Sequence, residues 1–293
     1  MKFRGGSNQQ QGFTLIELLV ALGIFLLVIG AAFTLLSTSQ QRYRTESQVL
    51  NSFQEARLGM DQMVRDINDA GFPPPAFFDA NHPSVSTSWP IGWSPGYTVP
   101  NSCQIGIAGG GTCATPTDFD IIIETNPDVG RDPACAPYCP AQWIRYRLAG
   151  PNGTTLMRAV ADKQPSHDPA IDTSSLLVPF VENVVNNLPS LQIGQFQLSA
   201  AYPAVFPGGN PVPVFEYSCD QPDVSPPPSP LPTCFNAGAD NCPANIRDVA
   251  ITLIVADPSP DAVTGRPRLV QLEGRGRRIN PSRSNLIAGG TCP

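Results

Sequence analysis

Hydrophobic and polar positions divide the chain into stretches of different period. From Phe13 to Leu36 the run FTLIELLVALGIFLLVIGAAFTLL is apolar on every side, and from Leu18 to Leu36 it carries no charge. As a helix this run spans about 36 Å, enough to cross a hydrocarbon layer of roughly 30 Å. The sequence then turns polar (STSQQRYRTESQ) without Pro or Gly, so the helix continues. Apolar residues return at Val49, Leu50, Phe53, Ala56, Met60, Met63, Val64 and Ile67, mostly in steps of three and four, which is one stripe along a helix. Gly71 stands where a C′ glycine belongs, and Pro73, Pro74 and Pro75 forbid continuation. The pattern predicts one helix over about 14–69. Its first half suits a bilayer or filament core, and its second half suits packing on a folded head. Met60 and Met63 read as core filler rather than a ligand pair.

Residues 72–117 show no sustained period and are rich in Pro, Gly, Ser and Asn, so they read as a long, loop-like crossing. Strand-like runs follow at 118–124, 142–148, 154–160, 178–184, 191–198, 212–217, 248–256 and 268–274. Pro151-Asn152-Gly153 is a turn signal that makes 142–148 and 154–160 a hairpin. Alternation within 142–148 puts Trp143, Arg145 and Arg147 on one face and Ile144, Tyr146 and Leu148 on the other. Residues 221–233 (QPDVSPPPSPLPT) read as an exposed loop with polyproline character. Short strands, turn signals and no helical period mean an antiparallel sheet. The expected fold class is α+β: a long N-terminal helix packed on an antiparallel β-sheet head with long Pro/Gly-rich loops.

Composition narrows the function. The 33 Pro and 25 Gly follow no three-residue period, which excludes collagen, and 41% hydrophobic content excludes a wholly disordered chain. A net charge of −6 argues against nucleic acid as a partner, since phosphate contacts need clustered cations. Two His and four Met are thin material for metal or haem chemistry, and no cofactor is expected. All eight Cys lie beyond residue 100, which suits an oxidising compartment.

The apolar run exceeds the roughly 7–15 residues of an ordinary signal peptide. A plain membrane anchor has no use for Glu17, because an ionisable group inside a membrane segment is costly and usually has a partner. The hexapeptide Gly12-Phe13-Thr14-Leu15-Ile16-Glu17, after the short basic leader MKFRGGSNQQQG, resembles the class III signal of type IV prepilins and type II secretion pseudopilins. The nearest resemblance is to the larger minor pilins of the PilW kind, with pseudopilin J as neighbour. The specific part covers residues 8 to about 70; 181–197 and 246–256 resemble paired strands of that subgroup more weakly. The resemblance implies that a prepilin peptidase cuts between Gly12 and Phe13 and methylates the new amine of Phe13. It also implies three regions: a leader (1–12), an N-terminal helix (13–70, transmembrane over about 13–36) and a periplasmic or extracellular β-rich head (71–293).

The chemistry of the motif also stands alone. Gly12 lets a protease approach the backbone closely. Cleavage gives Phe13 a cationic amine, and Glu17 of one subunit can meet the Phe13 amine of another where the dielectric is low. Such a pairing sets the register of stacked helices. Gly23 and Gly30 lie on nearly the same helix face, which either allows close helix packing or is membrane-helix background.

Other chemistry is weaker. Ser166-His167-Asp168 has triad residue types, but three consecutive residues do not make a relay. Asp118 and Asp120 share a strand face and suit either part of a cation site or, better, a solvated face. Cys135 and Cys139 have metal-site spacing, but no second cysteine pair or histidine completes a tetrahedral set, so a disulfide is the better reading. The glycines at 109–111 lack the Lys-Ser/Thr of a phosphate loop. The C-terminal arginines, Arg275 and Arg277 among them, read either as an anionic-partner patch or as protection of a strand edge. Four disulfides are expected: Cys103–Cys113, Cys135–Cys139, and two among Cys219, Cys234, Cys242 and Cys292, with Cys234–Cys242 and Cys219–Cys292 preferred.

The sequence therefore reads as a non-enzymatic, single-pass inner-membrane precursor that becomes a minor subunit of a type IV pilus, acting in initiation or at the tip. Its partners would be the prepilin peptidase and other major and minor pilins. The alternatives are a type II secretion minor pseudopilin and an adhesive head delivered by the pilin signal, for which Trp89, Trp93 and Tyr97 are the aromatic candidates.

Overall fold

The computed structural model describes residues 13–73, 90–94, 115–128, 132–134, 138–150, 153–164, 167–219, 234, 243–257, 260–261 and 264–280. The chain divides into two compact units, residues 1–50 and 51–293. Helix α1 covers Leu15–Asp69. The fold is α+β, with antiparallel sheets after the helix.

In the first unit, Leu15–Tyr43 is the one described helical stretch long and apolar enough to cross a membrane, with mean hydropathy 2.8 and no part buried within the chain. Phe25, Leu27, Phe33 and Leu35 are all exposed. Apolar side chains left bare on every side are unfavourable in water, so this surface needs lipid or other helices around it. Gly23 and Gly30 have open space where a Cβ would stand, so no contact within the chain requires them to be glycine.

In the second unit the strands are β1 (Ile91–Gly92), β2 (Asp120–Thr125), β3 (Gln142–Ala149), β4 (Thr155–Asp162), β5 (Val178–Val181), β6 (Gln192–Ile193), β7 (Phe196–Gln197), β8 (Phe215–Cys219), β9 (Ile246–Ala256) and β10 (Leu269–Arg277). They form a five-stranded sheet in the order β1-β2-β3-β4-β5, a three-stranded sheet β10-β9-β8, and the small hairpin β6-β7. The expected β3–β4 hairpin forms, with Ala149 opposite Thr155 and Gln142 opposite Asp162.

Residues 183–185 join the two sheets. Asn183 takes a left-handed φ of 59°, which ends β5 short of the expected 184. The chain then runs beside β9: Ala256 N donates to Asn183 O at 2.9 Å and Val185 N donates to Ile254 O at 2.9 Å. Buried Asn186 completes this edge, accepting from Ile254 N and donating to Thr252 O. Its side chain replaces a strand partner where β8 no longer reaches.

The second half of α1 lies against both sheets. Ala56, Met60, Met63 and Ile67 are buried in one cluster with Ile121, Ile144, Tyr146, Val181, Val249 and Leu253. Space at two glycines permits this approach. A Cβ at Gly59 would come within 2.5 Å of Val181 Cγ2, and one at Gly276 within 2.7 Å of Ile67 Cβ. The helix stops at Asp69, Gly71 takes a φ of +80°, and Gly71 N donates to Glu124 O on β2.

Three expectations need correction. Residues 191–198 are not one strand; Gly194, with φ +63°, turns the chain between β6 and β7, and α3 (Leu198–Ala201) follows. A second helix, α2 (Pro169–Ser174), stands where no helical period was seen, because six residues are too few to show one. Its start is nevertheless written in the sequence: Asp168 is the N-cap, accepting from Ala170 N, and Pro169 sits at the first helical position. Finally, Cys219 pairs with Cys234, which overturns both Cys234–Cys242 and Cys219–Cys292. Cys234 N donates to Tyr217 O at 3.0 Å, which brings Cys234 alongside β8. The bridge closes the base of the Pro-rich stretch; a loop of that length is worth about 3 kcal/mol of restricted unfolded chain. Cys139 is also disulfide-bonded. The other five cysteines, Cys135 among them, lie outside the described residues.

Gly276→Val should lower head stability by about 1–3 kcal/mol, because Ile67 Cβ cannot rotate away from the added methyls. Denaturant unfolding of the full chain in detergent checks it. An unchanged midpoint would contradict the close approach of α1 to β10.

Candidate functional site

At the helix start, Thr14 is the residue before α1 and Glu17 is the third inside it. Thr14 N and Thr14 Oγ1 both donate to Glu17 Oε2, at 3.0 and 2.9 Å, while Glu17 N donates to Thr14 Oγ1 at 3.4 Å. This is a reciprocal capping box: two backbone N–H groups that the helix cannot satisfy find side-chain oxygens. Leu18 N donates to Thr14 O, the first bond of the helix. Phe13 precedes the cap and is 87% exposed. Gly12 lies outside the described residues. Thr14 was missed as a functional partner of Glu17, although the Thr-x-x-Glu spacing before an apolar run is legible in the sequence.

In the head, three buried polar groups sit among the sheets and helices. On the α1 side of the five-stranded sheet, Tyr146 Oη donates to Asp66 Oδ2 at 2.6 Å, and Arg158 Nε donates to Tyr146 Oη at 3.0 Å. Arg158 Nη2 lies 3.4 Å from Asp66 Oδ2. Burial, and then the Asp66 carboxylate, push the Tyr146 hydroxyl far above its ordinary range, so it remains a donor. The trio fixes α1 on the sheet. On the opposite face, Arg145 grips Asp120 with two bonds, Nε to Oδ1 at 2.9 Å and Nη2 to Oδ2 at 2.6 Å. Arg145 Nη1 also donates to Ala170 O on α2. Nearby, Lys163 Nζ and Trp143 Nε1 donate to the fully buried Glu124, at 2.8 and 3.1 Å.

This geometry settles several candidates. Asp120 is neither a cation ligand nor a solvated residue, because α2 covers its sheet face and Arg145 neutralises it. Among the described residues no group of three His, Cys, Asp or Glu is placed to hold a metal. Cys139, being in a disulfide, offers no thiolate. Ser166 lies outside the described residues; Asp168 caps α2 and accepts from Ser94 Oγ at 2.7 Å, and His167 Nδ1 lies 3.0 Å from Asp172 Oδ2. His167 and Asp168 thus serve local structure. Arg275 and Arg277 both reach Asp248, so they are not a free anionic-partner patch. Trp93 is buried and unavailable as an aromatic binding platform, while Trp89 and Tyr97 lie outside the described residues. Met60 and Met63 are core residues, as the helical stripe required.

Residues 7–33 match the family model described as the prokaryotic N-terminal methylation motif. With the apolar N-terminal helix, that match supports a type IV pilin-like prepilin, pilus and pseudopilus subunits included. Such a motif implies processing by a prepilin peptidase and assembly with other pilins, and the helix is consistent with single-pass membrane anchoring before assembly. No curated protein and no solved structure matches the chain.

Asp118 provides a test of the head's electrostatics. Burial raises its carboxyl above the ordinary 3.8, and its side chain makes no hydrogen bond or ion pair in the structure. The folded state therefore holds the proton more tightly than the unfolded state. The stabilising contribution is complete below pH 3.8 and is lost as pH rises through the raised value. Asp118→Asn should be more stable than the parent at pH 7 and should lose that advantage near pH 3. Unfolding midpoints at the two pH values check the sign.

Proposed function

We propose that the chain is the precursor of a minor pilin-like subunit of a type IV pilus, with a structural and interaction role in filament initiation or at the tip. Its action is assembly rather than catalysis. Residues 1–12 are a leader removed by a prepilin peptidase, 13–70 the assembly helix and 71–293 the outward-facing head. The observation that carries this reading is the capping box at Thr14 and Glu17, immediately after the cleavage position. Because the helix start is closed by Thr14 and Glu17, removal of everything up to Gly12 leaves that start satisfied. It also leaves a new Phe13 amine one helical turn from the carboxylate.

The box gives Glu17 two alternative sets of partners. In the isolated chain its Oε2 accepts from Thr14. In a filament it would face the methylated Phe13 amine of a neighbouring subunit. A carboxylate at this depth thus has a donor in either state, which lowers the cost of holding it near lipid.

Mass spectrometry of the chain made in a host with the peptidase should find a species beginning at N-methylated Phe13. An N-terminus near Ala31 or Ala32, the product of ordinary signal peptidase, would end this reading. Glu17→Gln should leave membrane insertion and cleavage intact while incorporation into filaments falls, and quantitative blotting of sheared filaments reads it. Equal incorporation of variant and parent would contradict the pairing.

A further inference from the structure

In the three-stranded sheet, β10 lies outermost and pairs with β9 alone. At one end of this ladder Asp257 N donates to Arg268 O, and at the other Arg278 N donates to Arg247 O. Bonded and non-bonded pairs alternate along antiparallel strands, so the even-numbered residues of β10 bond β9 and the odd-numbered ones turn their backbone groups outward. Arg277 N, an outward group, accordingly donates to Asn68 Oδ1 on α1 at 2.8 Å. Among the described residues nothing meets the outward N–H and C=O of Gln271, Glu273 and Arg275. Three other sheet margins are closed. Along β8, Asp118 O accepts from Phe215 N, and Cys234 N donates to Tyr217 O. Residues 183–185 cover the end of β9, and β5 carries Pro179, which has no N–H to offer. By contrast β10 has no proline and no bulge, and its nine residues keep one unbroken register with β9. Its arginines do not fence the edge either, since Arg275 and Arg277 both turn to Asp248 of the neighbouring strand.

We propose that this open edge pairs with the same edge of a second copy of the chain, antiparallel, about a two-fold axis at Gly274. Glu273 of each copy then stands opposite Arg275 of the other, and the two residues exchange both backbone bonds. The two-fold repeats that exchange, and Gln271 N–H meets the Arg277 carbonyl of the opposite copy. Charge selects this register and this sense. An axis at residue 273 sets Glu273 against Glu273, and one at 275 sets Arg275 against Arg275. An axis at 272 leaves Arg275 opposite Leu269, and one at 276 sets Arg275 against Arg277. A parallel copy displaced by two residues gains one Glu273–Arg275 pair but sets Arg275 against Arg277, and an undisplaced one sets like against like. Only the antiparallel pair about Gly274 joins opposite charges twice. Arg275 can take part without leaving Asp248, because its side chain is 57% exposed and a guanidinium has five donors. Gly274 and Gly276 keep their approach to Met60 and Ile67, which lie on the other face of the strand from Glu273 and Arg275. Both copies use one surface, so the contact closes at two. It goes beyond the assembly reading and does not depend on cleavage at Gly12.

The test uses the full chain in detergent, where no common membrane orients the two copies. One tagged copy carries Gln271→Cys, a differently tagged copy carries Arg277→Cys, and a short bismaleimide joins free thiols. In the proposed register 271 of one copy faces 277 of the other, while the two 271 positions lie about 20 Å apart, as do the two 277 positions. The expected product is the mixed 271–277 dimer, with little 271–271 or 277–277 product. Glu273→Arg in both copies sets arginine against arginine twice and should lower the mixed product roughly tenfold, about 1.4 kcal/mol. Glu273→Asp keeps the charge and should keep the product. Glu273 is exposed and bonds only Gln271, so both variants should unfold at the parent's denaturant midpoint, which separates loss of the contact from loss of the fold. No mixed product in the parent, 271–271 or 277–277 product in equal amount, or an unchanged yield in Glu273→Arg would overturn the proposal.

Discussion

The head depends on the burial of one face of a helix. Ala56, Met60, Met63 and Ile67 recur at helical spacing and enter the same core as residues of both sheets. Neither sheet can close that core alone: the five-stranded sheet offers Ile121, Ile144 and Tyr146, the three-stranded sheet Val249 and Leu253. A fully buried Met or Ile side chain is worth about 1.5–3 kcal/mol, so Met60, Met63 and Ile67 together weigh about as much as a small domain's net stability. The polar trio of Asp66, Tyr146 and Arg158 adds direction to this non-directional burial. Its hydrogen bonds hold only if α1 keeps one rotation about its axis.

Along its length α1 serves two environments with two patterns. Leu15–Tyr43 buries nothing within the chain and is apolar all round. From Asn51 onward the helix has a buried face and a charged one. No Pro or Gly separates the two patterns between Leu36 and Leu58, so the backbone gives no reason to stop. A subunit that passes from lipid into an assembly needs such a helix: one part indifferent to whether lipid or other helices surround it, one part committed to its own head. The capping box at Thr14 and Glu17 fits that passage, since it satisfies the helix start without help from any neighbour.

Much of this was legible in the sequence, and the limits have physical causes. The 14–69 helix followed from an all-round apolar run, a Pro- and Gly-free polar stretch and one helical stripe, and it ended at Asp69, because Gly71 and three prolines leave no other choice. The β3–β4 hairpin followed from its turn residues. The covered part of that β3 face did not follow, because Arg145 looks like a solvated residue, as Arg147 is, until α2 is known to lie over it. A six-residue helix has too few positions to show a period, although Asp168-Pro169 marked its start. The Cys219–Cys234 bridge was hidden for another reason: local spacing favoured Cys242, whereas the bond is set by Cys234 lying alongside β8. The Thr14–Glu17 box did not follow from the reading of Glu17 as an intersubunit group, because a partner on a neighbouring chain makes no demand on Thr14.

Native-state hydrogen exchange of the full chain in detergent, read by peptide mass spectrometry, measures the central dependence. If α1 is a structural wall of the head, the amides of residues 56–67 exchange only with global unfolding, at the same slow rate as those of β9 at 246–256. Exchange of 56–67 through faster local opening, while 246–256 stays protected, would show that the sheets close their core without the helix and would contradict the account.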